Sequence, residues 1–277
     1  MPGAPVVLLG VPWDASSSFQ RGSAGAPPRV RAALHSPSSN TWNERGDDVA
    51  APDLLRDAGD LELPDDPDAA RAAIEAAVRT QIESGLVPLV LGGDHSITYP
   101  VVRGLGRRDR LTILHLDAHP DLYDEYDGDR YSHACPFARI LEAGLAARLV
   151  QVGIRTLPPT LRATAAKFGV EIVPAARWRD AIPLVAGLGA PLYVSLDLDV
   201  LEPMLAPGVS HPEPGGLTVR DVLDVLFAIR APIAGADIVE YNPRNDVRDL
   251  TARVAAKFVK ELVGVIVDRG THPPFAR

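Results

Sequence analysis

The 277-residue chain has a single cysteine, Cys135, so no intrachain disulfide can form and nothing points to an oxidising compartment. No apolar run approaches the roughly 20 residues needed to span a bilayer. The opening segment PGAPVVLLGVPWD has a short apolar run but neither a basic flank nor a small-residue cleavage site, so it reads as a first strand rather than a signal peptide. Basic residues are outnumbered, 28 Lys and Arg against 36 Asp and Glu, for a net charge of −8. That balance argues against a nucleic-acid or anionic-membrane partner, because phosphate binding needs a surplus of Lys and Arg. It is compatible with a small cationic substrate. Internal repeats, low-complexity segments and linkers are also lacking. The expectation is one cytoplasmic domain spanning 1–277.

What is present is enough apolar material for a large core, 46% of residues, with an ordinary 23% charged. Apolar runs of strand length are expected at 5–11, 87–91, 111–117, 147–154, 170–173, 191–199 and 231–240. The DLLRDAGDLEL segment adds an edge strand. Helices are expected over 29–35, from 67 to about 82, and over 97–106, 136–144, 158–168, 175–188, 218–230 and 248–267. The 218–230 helix opens on Thr218 as N-cap with Asp221 three residues on. Continuous apolar strands alternating with helices predict a parallel sheet covered on both faces.

The chain is organised around LTILHLDAHPD, residues 111–121, where a buried strand ends in Asp117, His119 and Asp121. Alternate residues of an extended chain share a side, so these three can converge beyond the strand's carboxyl end, where open α/β sheets bind ligands. A solvated acidic loop is the alternative. Three more strand ends carry polar clusters: GGDHS (92–96), Asp197 and Asp199 in SLDLD, and Glu240 in DIVEYNP. In a parallel sheet all four ends lie on one edge. GGDHS lacks the P-loop Lys and the GxGxxG spacing; its glycines are expected to let the chain turn sharply so that His95 faces the strand ends. Asp197 and Asp199 lie in an apolar strand, where a carboxylate must be paired, protonated or bound to metal. No Lys or Arg occurs between Arg179 and Arg220, which makes metal the economical explanation; an ion pair with a distant Arg is the other.

Together His95, Asp117, His119, Asp121, Asp197 and Asp199 bring four carboxylates and two imidazoles. Two divalent cations neutralise that charge, and oxygen-rich ligation with some imidazole suits Mn²⁺ ahead of Fe, Co or Zn. Two ions roughly 3.5–4 Å apart can bridge a water and lower its pKa toward neutrality, which yields a hydroxide nucleophile without Ser or Cys. Cys135 reads as structural or incidental.

GGDHS, HLDAHPD, SLDLDVLEP and DIVEYNP, in this order and spacing, resemble the ureohydrolase (arginase/agmatinase) family over nearly the whole chain. The resemblance implies a three-layer α/β/α fold with a mostly parallel, roughly eight-stranded sheet, two Mn²⁺, trimers or hexamers, and release of urea from a guanidino compound. It implies one metal held by His95, Asp117, Asp121 and Asp197, and another by Asp117, His119, Asp197 and Asp199. Asp121 is counted among the catalytic groups as well as the ligands. Glu240 matches the carboxylate aimed at the guanidinium. His133, in YSHACPF, matches the family's proton-transfer histidine.

For the substrate, the loop LYDEYDGDRYSHACPF has no Asn to hold an amino-acid head and offers Asp124, Glu125, Asp127 and Asp129, which would repel a carboxylate. With YSHACPF resembling the agmatinase branch, the expectation is hydrolysis of agmatine to putrescine and urea. Arg130 could instead clamp an acid. His211, in GVSHP where the family usually reads GTGTP, also bears on substrate choice. Arginase, guanidino-acid hydrolase and formimidoylglutamase activities stay as alternatives. So do a non-catalytic metal-binding relative and a phosphate-ester hydrolase relying on Arg103, Arg130 or Arg244.

Overall fold

The computed structural model describes residues 6–106, 111–189 and 191–267. Its centre is an eight-stranded, all-parallel sheet of β1 (Val6–Gly10), β2 (Leu55–Asp60), β3 (Val87–Leu91), β4 (Thr112–Leu116), β5 (Arg148–Ile154), β6 (Glu171–Pro174), β7 (Leu192–Asp197) and β8 (Ile233–Val239), in the order β2-β1-β3-β8-β7-β4-β5-β6. The DLLRDAGDLEL segment supplies β2 at one edge. Pro5, expected to open the first strand, lies outside the described residues.

The helices are α1 (Ala26–Leu34), α2 (Pro67–Glu83), α3 (Thr98–Gly104), α4 (Pro136–Glu142), α5 (Pro159–Phe168), α6 (Ala181–Ala186), α7 (Val219–Phe227) and α8 (Leu250–Val267). Successive strand residues face opposite sides of the sheet, and the two apolar clusters sort accordingly. Leu192, Val194 and Leu196 of β7 join α1, α6, α7 and α8 in one cluster, while Tyr193 joins α2, α3, α4 and α5 in the other. The result is three layers. Among the described residues, no helix is long and apolar enough to cross a membrane.

Local chemistry sets several boundaries. Asp66 caps α2 by accepting from Ala69 N at 2.8 Å. Thr218 and Asp221 form a reciprocal capping box at α7, as their spacing predicts. Prolines in the first turn start α1 three residues earlier than expected. The helix expected over 175–188 is broken: Ala175–Asp180 is a 3-10 segment with Arg177 at φ −126°, and α6 follows. Pro183 explains this, because its ring clashes with the carbonyl four residues back and it has no N–H to donate. β7 stops at Asp197, and Asp199 sits on a 3-10 turn, Leu198–Val200, whose first N–H donors include Asp199 N to Asp197 Oδ1 at 2.7 Å.

The strands that carry the four polar clusters, β3, β8, β7 and β4, are neighbours at the middle of the sheet. Their carboxyl ends therefore bring GGDHS, Glu240, Asp197 and Asp117 within side-chain reach of one another.

Candidate active site and metal centre

His95 lies beyond β3 on a short 3-10 turn capped by Asp94. Its Nδ1 is 3.3 Å from Asp117 Oδ2, 3.0 Å from Asp121 Oδ2 and 3.1 Å from Asp197 Oδ2. His119 Nδ1 is 3.5 Å from Asp117 Oδ1 and 3.0 Å from Asp199 Oδ2. The two oxygens of Asp117 thus face different imidazoles. All four carboxylates and His95 are buried. The structure brings together all six residues that the sequence singles out as ligands.

Whether a cation fits can be tested on the proton positions. Tyr193 OH and Thr98 Oγ1 donate to Asp237 Oδ2, and Ser195 Oγ donates to Asp237 Oδ1 at 2.7 Å. With its hydrogen committed there, Ser195 Oγ accepts from His95 Nε2 at 2.9 Å. That tautomer leaves Nδ1 without a hydrogen, and among the described residues it has no hydrogen-bond partner. It faces three carboxylate oxygens, an arrangement that only a positive charge between them can stabilise. The local electrostatics point the same way. Burial favours neutral His95, yet the facing carboxylates raise its pKa well above the usual value. Burial and the neighbouring acids push Asp197 well up and Asp199 to about 6. A proton is the weak substitute for the cations that this donor set fits.

Sequence reasoning missed the residues that hold these ligands in place. His115 Nε2 donates to Asp117 Oδ2 at 2.7 Å while its Nδ1 accepts from Gln151 at 3.0 Å. Burial lowers the His115 pKa, so the ring is neutral. Asp94 accepts from Ser16 N and Ser17 Oγ at 3.0 and 3.3 Å, which ties the loop after β1 to the site. The signal for Asp237 was available: a lone acid in the apolar ADIV run raises the same question as Asp197. The glycine pair acts differently from expectation. Neither residue has positive φ; a Cβ on Gly93 would lie 1.7 Å from Trp13 O, so close backbone approach is what excludes a side chain.

Glu240 follows β8 in the left-handed region, at φ 64°, as Asp121 does at φ 49°. Side chains rarely adopt such backbone, and its expense, of order 1–3 kcal/mol each, is concentrated at functional sites. Glu240 Oε1 accepts from His95 N at 2.8 Å and faces His133 Nδ1 at 3.0 Å. Its Oε2 is buried without a partner among the described residues. Burial disfavours both ions, but each stabilises the other: Glu240 is held below the usual carboxylate value and His133 rises to about 9.

These groups line a cavity of about 310 Å³ that also includes Ser18, Tyr123, Tyr126, Thr156 and His211. No Lys or Arg is among its described lining residues. Arg130 is therefore not a substrate clamp: it pairs with Asp124 and Glu142 at the surface. Asp124 is further neutralised by Arg139, and the loop turns Tyr123 and Tyr126, not its acids, toward the cavity. The expected repulsion of a carboxylate loses its basis. Buried Cys135 has its thiol pushed up to about 12, which leaves it unreactive.

A profile of the arginase family matches residues 4–264. The chain belongs to the arginase family. The mitochondrial arginase 1 of Arabidopsis thaliana is 45% identical over 278 residues, covering 95% of this chain and 81% of that enzyme. The structure of the Medicago truncatula arginase superposes with a TM-score of 0.90 at 44% identity, covering 95% of this chain and 88% of that one. The N(1)-aminopropylagmatine ureohydrolase of Thermus thermophilus is 37% identical, covering 95% and 90%. Placement in the agmatinase branch is thus not supported, since plant arginases share more of the sequence. Membership in the arginase family implies a ureohydrolase with a binuclear metal centre, typically manganese.

Proposed function

We propose that the chain is a manganese-dependent arginase that hydrolyses L-arginine to ornithine and urea. The observation that carries the guanidino reading is Glu240, a buried, ionised carboxylate in the cavity lining whose Oε2 has no hydrogen-bond partner among the described residues, beside the six clustered side chains that would hold the metals. A planar guanidinium satisfies such a group through paired N–H donors. Likeness to plant arginases supports arginine over agmatine. So does a lining in which the hydroxyls of Ser18, Tyr123 and Tyr126 can donate to an α-carboxylate.

His95, Asp117, Asp121 and Asp197 would hold one ion, and Asp117, His119, Asp197 and Asp199 the other; bound there, the pair supplies Lewis acidity and an ionisable water. Glu240 orients the guanidinium carbon toward the ligand cluster. His133 holds a proton at neutral pH, with Nδ1 facing Glu240 and Nε2 2.8 Å from Ser18 Oγ, and can deliver it to the departing amine. His115 and Ser195 orient Asp117 and His95.

Urea release after Mn²⁺ loading, compared across arginine, agmatine, guanidinobutyrate and formiminoglutamate, tests this. The highest kcat/KM is expected with arginine. A higher value with agmatine overturns the substrate assignment, and no urea from any of the four overturns the function.

A further inference from the structure

Three side chains of the cavity lining, beside the ligand cluster, are themselves arranged as a metal site. His133, His211 and Glu240 each present one ligating atom, and these atoms lie within 4.8 Å of one another. The two imidazoles lie 4.8 Å apart by their centroids, tilted by 37°. Two observations indicate a ligand. Glu240 Oε2 is buried without a hydrogen-bond partner among the described residues. The His211 ring, whose neutral form burial favours, makes no hydrogen bond among the described residues and keeps its lone pair available. The hydroxyl of Ser18 sits 2.8 Å from His133 Nε2. It can accept the Nε2–H once a metal has displaced the proton from Nδ1, so the ring keeps a hydrogen-bond partner while Nδ1, next to Glu240, binds the ion.

We propose that His133, His211 and Glu240 bind a third divalent cation, Zn²⁺ by preference, which excludes the guanidinium from Glu240. Two imidazoles and one carboxylate suit zinc, with a fourth position left to water, whereas manganese favours the oxygen-rich cluster. Bonds of about 2.0–2.2 Å require the three ligand atoms to draw together, and a swing of the His211 side chain provides this. Binding at His133 Nδ1 displaces the proton that lies between it and Glu240 to solvent. The competition rests on the guanidino reading above; the third ion does not.

The test counts ions. Protein exchanged fully into Zn²⁺ and freed of unbound metal by gel filtration should carry three zinc ions per chain. His211→Asn and His211→Thr should each carry two, and that count shows in the same measurement that the main centre is intact. In the Mn²⁺-loaded enzyme, Zn²⁺ added shortly before assay should raise KM without lowering kcat, with an inhibition constant at least about tenfold weaker in His211→Asn. A count of two in the parent, or of three in both variants, overturns the site. Inhibition through kcat alone overturns the competition. If no guanidino compound yields urea, the proposed function fails and the zinc count still decides the site.

Discussion

Replacing Glu240 by Gln preserves size and removes one charge, which isolates the role assigned to the buried Oε2. The amide oxygen will take the Oε1 position, since that atom accepts from His95 N at 2.8 Å and faces the protonated His133 Nδ1 at 3.0 Å. The NH₂ group is then forced into the Oε2 position and turns its hydrogens toward the N–H groups of the guanidinium. A charge-assisted two-point bond becomes a clash of donors. Removing one partner of a buried, hydrogen-bonded charge pair costs about 2–5 kcal/mol. At about 1.4 kcal/mol per factor of ten, that is roughly a 30- to 4,000-fold loss in kcat/KM for arginine. Glu240 is not among the six ligands, so manganese content should be unchanged. Steady-state urea release and atomic emission on the same preparation give both numbers. A kcat/KM within about threefold of the parent refutes the guanidinium role; loss of manganese along with activity would make Glu240 a ligand instead.

Three further outcomes are expected. Asp117→Ala should lose metal and activity together, because Asp117 Oδ2 faces His95 and Oδ1 faces His119; full activity with normal metal content contradicts the shared-ligand arrangement. The Glu240–His133 ion pair raises His133 from an ordinary value of 6.5 to about 9. Its contribution to stability is therefore complete below about pH 6.5 and lost as pH rises through about 9. The melting temperature of the metal-free parent should fall relative to Glu240→Gln over that window, and parallel profiles refute the pairing. Gly93→Ala places a methyl 1.7 Å from a backbone oxygen. Overpacking of that kind costs about 1–3 kcal/mol, a Tm loss of several degrees in a chain this long; calorimetry showing no change would mean the loop after β1 yields freely.

Much of the architecture was legible because it rests on local signals. Strand-length apolar runs and the Thr218–Asp221 capping box depend on residues a few positions apart. The clustering of His95, Asp117, His119, Asp121, Asp197 and Asp199 was legible for a related reason: charge in an apolar strand demands an explanation. Where expectation failed, the deciding partner was distant or sterically local. The break before α6 came from Pro183 inside an otherwise helical stretch. Arg130 and the acidic loop were misjudged because their charges cancel against Glu142 and Arg139 on α4, which no spacing within the loop reveals.

The same reasoning shows why the supporting residues stayed hidden. Tyr193, Ser195 and Asp197 point to one face of β7, and His115 and Asp237 share that face on the neighbouring strands. Each reads alone as an isolated polar residue in an apolar run. Sheet order turns them into a continuous polar lane, since β7 lies between β4 and β8, with Ser195 paired in register to both His115 and Asp237. Nothing in the spacing of β4, β7 and β8 along the chain specifies that adjacency; the crossover helices do, by packing on opposite faces. The ligands therefore announce a metal site, but only the topology shows that Asp237 sets the hydrogen positions of Ser195 and, through it, which nitrogen His95 offers to the cation.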